Sequence, residues 1–547
     1  MQQEKSSLLD DEFAKFLAGR SVLSGSAREE FQGIVCRLST GLGAGDSCLL
    51  LTDAEQELVL SSGLAGDGTS VTPLCMTGNL LYLQRIFHYE QRLAEQINEM
   101  VSRDVPLAYE ESLLNLLFEP SQGGTDWQRM AAVQALKKRF LVISGGPGTG
   151  KTTVVVSILA LLQGGAGGEL KVALAAPTGK AAMRLQESVG SAMERLRERG
   201  VSEAGIPEKA STIHRLLGVK QYSPVFRHTA AAPLAYDLVV IDEASMVDLA
   251  LMSKLVDALR PGSRLILLGD RDQLASVESG TVLSDMVQSL PENTVELRRS
   301  YRFDGAIREF SAAVNRGDSG AAWSMLTAAE PPNITRLSGD VASCGGAIYH
   351  DYMKAVAAAS GVEDYQQLFD RFNAFKILCA VRHGPAGVFG VNAAVEQYLT
   401  ERGHNCFEEK WYPGRPVMVT RNDYGLELYN GDVGLCLPDP GNPELLKVWF
   451  RRPDGQLQGL LPARLGGCET VYALTIHKSQ GAEFGEVLVV LPEKRAALVS
   501  RELLYTAVTR ARKSVMIKTS REVFDSAVAE RVRRSSGLAG LLGADGL

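Results

Sequence analysis

Long apolar runs are missing from this chain of 547 residues. The longest, Val154 to Leu162, falls far short of the roughly 20 apolar residues that carry a helix across a bilayer, so a membrane-spanning helix is excluded. The first residues, MQQEKSSLLDDEF, are polar and charged where a secretory signal would be apolar. The eight cysteines have neither paired nor metal-ligand spacing. That argues against a disulfide scaffold or a zinc site, and for reduced thiols in a cytoplasmic protein.

Surplus positive charge is lacking too. Lys and Arg number 57 against 64 Asp and Glu, a net charge of −7. A free-standing protein that grips nucleic acid over a broad face is usually basic. The balance therefore argues against such a binder, while leaving room for a narrow basic cleft inside an acidic exterior. Aromatic residues are sparse at 7%, and Trp127, Trp323, Trp411 and Trp449 are expected in cores rather than stacked on bases. No cluster of carboxylates with a lysine suggests a nuclease centre, and no internal repeat is visible.

What is present is length enough for several domains and a change of texture along the chain. The first hundred or so residues carry no phosphate-binding signature. They predict a helix over 11–23 with Phe13, Phe16 and Leu17 on one face, a strand in Ser47 to Thr52, and a helix over 80–97. From Thr125 onward apolar strands alternate with amphipathic helices, the pattern of a parallel α/β sheet. Strands are predicted at 140–144, 172–176, 238–241 and 265–268, with a flexible glycine run at 164–168. A second α/β set follows at 377–381, 487–491 and 515–517. Between these lies a region with strand-like RPVMVTRN and LKVWFRR and turns at 429–432 and 453–455, which predicts a small inserted β-barrel. The expected domains are an N-terminal partner-docking domain (1–110), a first lobe (111–297), a second lobe (298–401 and 468–547) and the insert (402–467).

The run Gly145-Gly146-Pro147-Gly148-Thr149-Gly150-Lys151-Thr152 matches the phosphate-cradling pattern in full, with a strand before it and, after the nucleotide-binding candidate Thr153, the apolar helix Val154–Leu162. Glycines let backbone N–H groups turn in around phosphates, and the helix N-terminus adds its positive end. Lys151 is expected on the β- and γ-phosphates of ATP, and the Thr152 hydroxyl on Mg²⁺. Asp242 and Glu243 end the apolar run LVVI. They suit a water-mediated metal partner and a group that orients or deprotonates the attacking water. Gln273, after the strand-like LILLGD, can bond the γ-phosphate or that water. The Gln128 amide can pair with an adenine edge. Arg302 and Arg510 are candidate arginine fingers, each able to stabilise charge on the transferred phosphoryl group.

The ordered segments GGPGTGKTT, APTGKAA, STIHRLLG, VIDEASMVD, LLGDRDQLASVESG, SYRF, TIHKSQGAEF and YTAVTRA resemble superfamily 1 DNA helicases. Within these they resemble the RecD-type α subunits of bacterial exodeoxyribonuclease V, over essentially the whole chain. The resemblance implies two tandem RecA-like P-loop lobes, an inserted SH3-like β subdomain and a small N-terminal accessory domain. It implies single-stranded DNA contacts at Pro177, Thr178 and Lys180 and at Thr212 and His214 in the first lobe. In the second lobe it implies that Thr475, His477, Lys478, Ser479 and Gln480 link DNA to the nucleotide site, with Glu483 near the ribose. It further implies 5′→3′ movement, action at duplex DNA ends in break repair, RecB-like and RecC-like partners, nuclease chemistry lodged in the RecB partner, and a bacterial cytoplasm. A long N-terminal helix-hairpin-helix extension, present in relatives that work alone, is missing, which favours the complex-bound form. Two other classes compete on residues alone. A small-molecule P-loop kinase would need one lobe only, and a nucleotide-binding regulatory subunit would not need Glu243, Gln273 and Arg510.

Overall fold

The computed structural model describes residues 6–543 except 108, 119–125, 166–169, 221–222, 277, 300–304, 329–332, 405, 407–408, 424 and 453–454. Two parallel sheets organise the chain. The first has the order Thr294–Leu297, Phe140–Gly145, Arg264–Gly269, Leu238–Ile241, Val172–Ala176, Ala210–Thr212, with every neighbouring pair parallel. Its central strands are mostly apolar and buried along their whole length, because helices cover both faces of a parallel sheet. The second has the order Ile334–Arg336, Ala511–Lys518, Phe484–Val490, Phe375–Cys379, Ala473–Thr475, again parallel throughout. The α/β expectation and all seven predicted strands hold within a few residues. The short edge strands at 210–212, 294–297, 334–336 and 473–475 are additions.

The inserted region is an antiparallel sheet of order Leu457–Leu460, Asn442–Arg451, Val433–Asp439, Pro416–Val419, Cys468–Thr470. The expected inserted β region is present, but its two outer strands do not pair with each other among the described residues, so closure of the expected small barrel is not seen. It takes its last strand from just beyond Gly467, because Cys468–Thr470 pairs with Pro416–Val419.

Two N-terminal expectations change. Leu80–Leu83 is a strand, and the helix begins at Gln84. Gly78, at φ +56°, turns the chain so that Leu80–Leu83 pairs with Leu74–Thr77, and a cross-strand partner outweighs the helical period of the leucines. The first helix runs Leu8–Arg20 and buries Ala14, Leu17 and Ala18, while Phe16 is 56% exposed. Helix Gln84–Val101 shares a core with the first lobe, and Arg92 pairs with Asp257 on that lobe. Of the glycine run, Gly164 and Gly165 close the helix Lys151–Gly165, and 166–169 lie outside the described residues.

Beyond Ala529, where the last helix of the second lobe ends, residues 531–543 run onto the N-terminal region and the first lobe. Ser47 N–H donates to the Ser535 carbonyl (2.8 Å), and Ser535 N–H to Asp46 (2.7 Å). Ser536 Oγ lies within hydrogen-bond distance of Asp285 (2.8 Å) and Glu90 (3.2 Å), and Ser289 Oγ donates to the Ala539 carbonyl (2.9 Å). Leu538 and Leu542 enter the core shared by the N-terminal region and the first lobe. One strap thus joins the second lobe to both of the others.

Candidate nucleotide and DNA site

Strand Phe140–Gly145 delivers the chain into the glycine-rich turn, and helix Lys151–Gly165 leaves it. Gly148 (φ +78°) and Gly150 (φ +81°) adopt the left-handed backbone that closes the loop around a phosphate-sized space. The Lys151 ammonium donates to the carbonyls of Gly145 (2.5 Å) and Gly146 (3.1 Å), and Thr149 Oγ1 to that of Gly146 (2.9 Å). Gln128 braces the loop from outside, with Nε2 donating to the Thr149 carbonyl at 3.1 Å. It is absent from the cleft wall, because that bond turns its amide onto the loop.

The cleft itself is about 350 Å³. Pro147, Gly148, Gly150, Lys151, Thr152 and Thr153 wall it on one side, with Asp242, Glu243 and Gln273 from the same lobe. Glu483 and Arg510 enter from the second lobe. Gly145, Gly146 and Thr149 lie behind the wall. Burial and the neighbouring Glu243 push the Asp242 carboxyl up to about 6, against the pull of Lys151. Glu243 sits at φ +52°, a left-handed conformation that is costly for a non-glycine residue and recurs at functional sites. Gln273, 5% exposed, donates to Asp270 at 3.1 Å, and its buried Oε1 has no hydrogen-bond partner. A second cleft, of about 470 Å³, shares Gln273 and runs past Asp272, Asn315, Arg501 and Arg531, but holds no cradle residue.

Arg510 follows helix Arg501–Val508 and is 1% exposed. It donates to the carbonyls of Thr506 (3.2 Å) and Ala482 (3.3 Å). Burial lowers its pKa, while Glu243 and Asp270 across the seam favour its charge. From the same helix Tyr505 donates to Asp270 at 3.0 Å, and Thr506 Oγ1 accepts from Leu274 N–H at 2.9 Å. Arg302 lies outside the described residues.

The segments expected to face DNA form a different surface. Thr178 caps helix Gly179–Glu198, and Thr212 caps Ile213–Leu217; each side chain accepts an N–H of its own first turn. Pro177 and Thr178 are half-buried, and His214 is exposed beside Phe226. The Tyr429–Asp432 turn of the inserted sheet sits over this start. The position of a Cβ on Gly179 falls 3.6 Å from Tyr429, and that of one on Gly431 falls 3.9 Å from Lys180. Burial and Lys478 together depress Lys180 to about 8, with Asp432 opposing. Thr475 accepts from Lys478 N–H (3.3 Å), and Lys478 Nζ reaches Glu469 (3.5 Å). Burial, with a contribution from Arg534 of the strap, lowers the His477 pKa.

Two expected contacts need correction. Ser479 is fully buried, its hydroxyl on the Ile476 carbonyl (2.6 Å), so it presents nothing to a strand. Gln480 is 7% exposed and donates to the Leu274 carbonyl of the first lobe at 2.8 Å, which makes it a seam contact. Trp449 is a core residue; Trp323 packs on Phe524, while Trp127 and Trp411 lie beside Arg298 and Arg415.

Sequence reasoning missed Arg184. Ala181, Arg184, Glu187, Ser188, Ser191 and Arg195 line the cleft along one face of helix Gly179–Glu198. Their spacing of three to four residues was readable, but only by following the helix past its first turn.

Residues 128–279 match the AAA domain family, and residues 470–517 the UvrD-like helicase C-terminal domain family. The chain is similar to the RecBCD enzyme subunit RecD of Mycolicibacterium smegmatis, 39% identical, covering 85% of this chain and 82% of that one. It is 34% identical to the RecBCD enzyme subunit RecD of Haemophilus influenzae, over 86% and 81%. Against the ATP-dependent RecD2 DNA helicase of Deinococcus radiodurans it is 32% identical, over 83% of this chain and 58% of that one. No described helix is long and apolar enough to cross a membrane.

Proposed function

Since the chain belongs to the RecD family of RecBCD enzyme subunits, we propose that its two lobes convert ATP hydrolysis into 5′→3′ movement along single-stranded DNA. It is an ATP-dependent DNA helicase subunit. The observation that carries the mechanism is one cleft walled by Lys151 from the first lobe and Arg510 from the second.

The cradle holds the phosphate chain through backbone N–H groups and Lys151. Thr152 and Asp242 share that wall, and no cluster of three or more His, Cys, Asp or Glu suited to a metal occurs among the described residues. This donor set fits Mg²⁺, which keeps most of its waters and needs one or two protein oxygens beside the phosphates. The ion would neutralise charge on the β- and γ-oxygens. Glu243 orients the attacking water, and the open Gln273 Oε1 is a second acceptor for it. Arg510 stabilises the charge developing on the transferred group. Hydrolysis removes what Arg510 holds, so the seam loosens and the lobes part.

The DNA runs over Pro177, Thr178, Lys180, Thr212 and His214 on one lobe and Thr475, His477 and Lys478 on the other. Such groups grip phosphates without reading bases. The organisation into an N-terminal docking domain, two motor lobes and an insert suits a subunit that engages duplex ends with RecB-like and RecC-like partners in the cytoplasm. Nuclease chemistry belongs to the partners in this reading. Unwinding assays on duplexes carrying only a 5′ or only a 3′ tail test the polarity. Opening of the 5′-tailed substrate alone is expected, and preference for the 3′ tail would overturn it.

A further inference from the structure

Arg184 stands on the first lobe, five residues beyond the start of helix Gly179–Glu198, and its guanidinium pairs with Glu483 of the second lobe. The Glu483 side chain is 4% exposed and also accepts from Arg512 at 3.0 Å. The pair therefore crosses the seam that must open and close. It also lies between the two ligand paths. The helix that carries Arg184 is capped by Thr178 and holds Lys180 in its first turn, and Glu483 lies three residues beyond Gln480. Burial disfavours the Arg184 cation, Glu243 and Asp242 favour it, and Arg510 and Arg512 oppose it. Arg184 lines the same cleft as Asp242, Glu243 and Arg510, the groups read above as acting on the terminal phosphate and its attacking water.

We propose that Arg184 is a sensor of the γ-phosphate, supplied by the first lobe, which exchanges Glu483 for the terminal phosphate when ATP enters. The inference rests on the ATP-site reading above. A guanidinium matches phosphate oxygens with two parallel hydrogen bonds, and a terminal phosphate carries more charge than a carboxylate. Leaving Glu483 does not strand a buried carboxylate, because Arg512 remains on it. ADP lacks the group that competes for Arg184, so the ion pair re-forms after hydrolysis. The same exchange shifts the first turn of the helix against the DNA path and gives the two ligands a shared element.

The test is equilibrium binding of ATPγS and of ADP to the full chain, for wild type, Arg184→Ala, Arg184→Lys and Glu483→Gln, with thermal melting to establish folding. In Arg184→Ala the preference for ATPγS over ADP should fall about ten-fold, with ADP affinity little changed. Arg184→Lys should restore part of that preference, because a point charge remains. Glu483→Gln should raise it, because the competitor for the guanidinium is gone. An unchanged preference in Arg184→Ala, or an equal fall in Glu483→Gln, overturns the proposal and leaves a seam-holding ion pair. Lys151→Ala is the separate check on the underlying reading. It should lose both nucleotides, and if it binds both as wild type does, the cradle assignment fails and the sensor with it.

Discussion

Gln480 of the second lobe donates its side-chain N–H to the Leu274 carbonyl of the first at 2.8 Å. The N–H of the same leucine donates to Thr506 Oγ1 (2.9 Å), so the second lobe holds both backbone groups of Leu274. Leu274 follows Gln273, which lines the cleft, and Gln480 follows the Thr475–Lys478 segment. In the proposed reading, a displacement of that segment by DNA would reach the nucleotide wall through the buried Gln480–Leu274 hydrogen bond. Breaking either bond to Leu274 leaves a buried backbone group unpaired, at a cost of about 1–3 kcal/mol.

Arg510 separates binding from chemistry. Arg510→Ala should keep nucleotide affinity close to wild type while turnover falls by about 10³ or more, the usual worth of an arginine finger. Steady-state hydrolysis set beside equilibrium nucleotide binding checks this. Parallel loss of both would make Arg510, with its carbonyl bonds to Thr506 and Ala482, a structural residue.

Lys180 gives DNA binding a particular pH dependence. Its pKa is depressed to about 8, so the free protein carries the cation below that pH and the neutral amine above it. A bound phosphate favours the cation. Affinity for single-stranded DNA should therefore be full below about 8 and decline above it, by up to about ten-fold per pH unit for one coupled proton. Fluorescence anisotropy titrations from pH 7 to 9.5 should show the decline in wild type and not in Lys180→Arg. The same slope in both would assign it to another group.

The nucleotide cradle and its acids were legible because each ends a run of apolar residues, and only a parallel sheet brings such ends to one edge. Distant partners were not. Leu80–Leu83 carries a helical pattern locally and becomes a strand through pairing with Leu74–Thr77. Ser479 and Gln480 are polar residues of a motif associated with DNA, yet their hydrogen bonds run inward and across the seam. Arg184 stands on an ordinary amphipathic helix, and its importance comes from Glu483, almost three hundred residues away in the chain.

The terminal strap predicts a stability effect remote from the chemistry. A Cβ on Gly537 would fall 1.9 Å from the Tyr82 hydroxyl and 3.0 Å from Glu90. The Glu90 carboxylate is buried and bonded by Ser47, Ser536 and the Gly537 N–H, so little room is available to yield. Gly537→Ala should destabilise by about 1–3 kcal/mol, as overpacking of a buried site does. Thermal melting and the rate of carboxypeptidase trimming of residues 531–547 check it. An unchanged melt with unchanged trimming would mean that the strap is already detached in solution.

The most direct measurement is ATP turnover by the full chain with and without single-stranded DNA of mixed sequence, in wild type and Lys151→Ala. Turnover should rise steeply with DNA, lose that rise at high salt as phosphate contacts are screened, and vanish in Lys151→Ala. Full-rate hydrolysis without DNA, or turnover that survives Lys151→Ala, would contradict a motor driven from the cleft between Lys151 and Arg510.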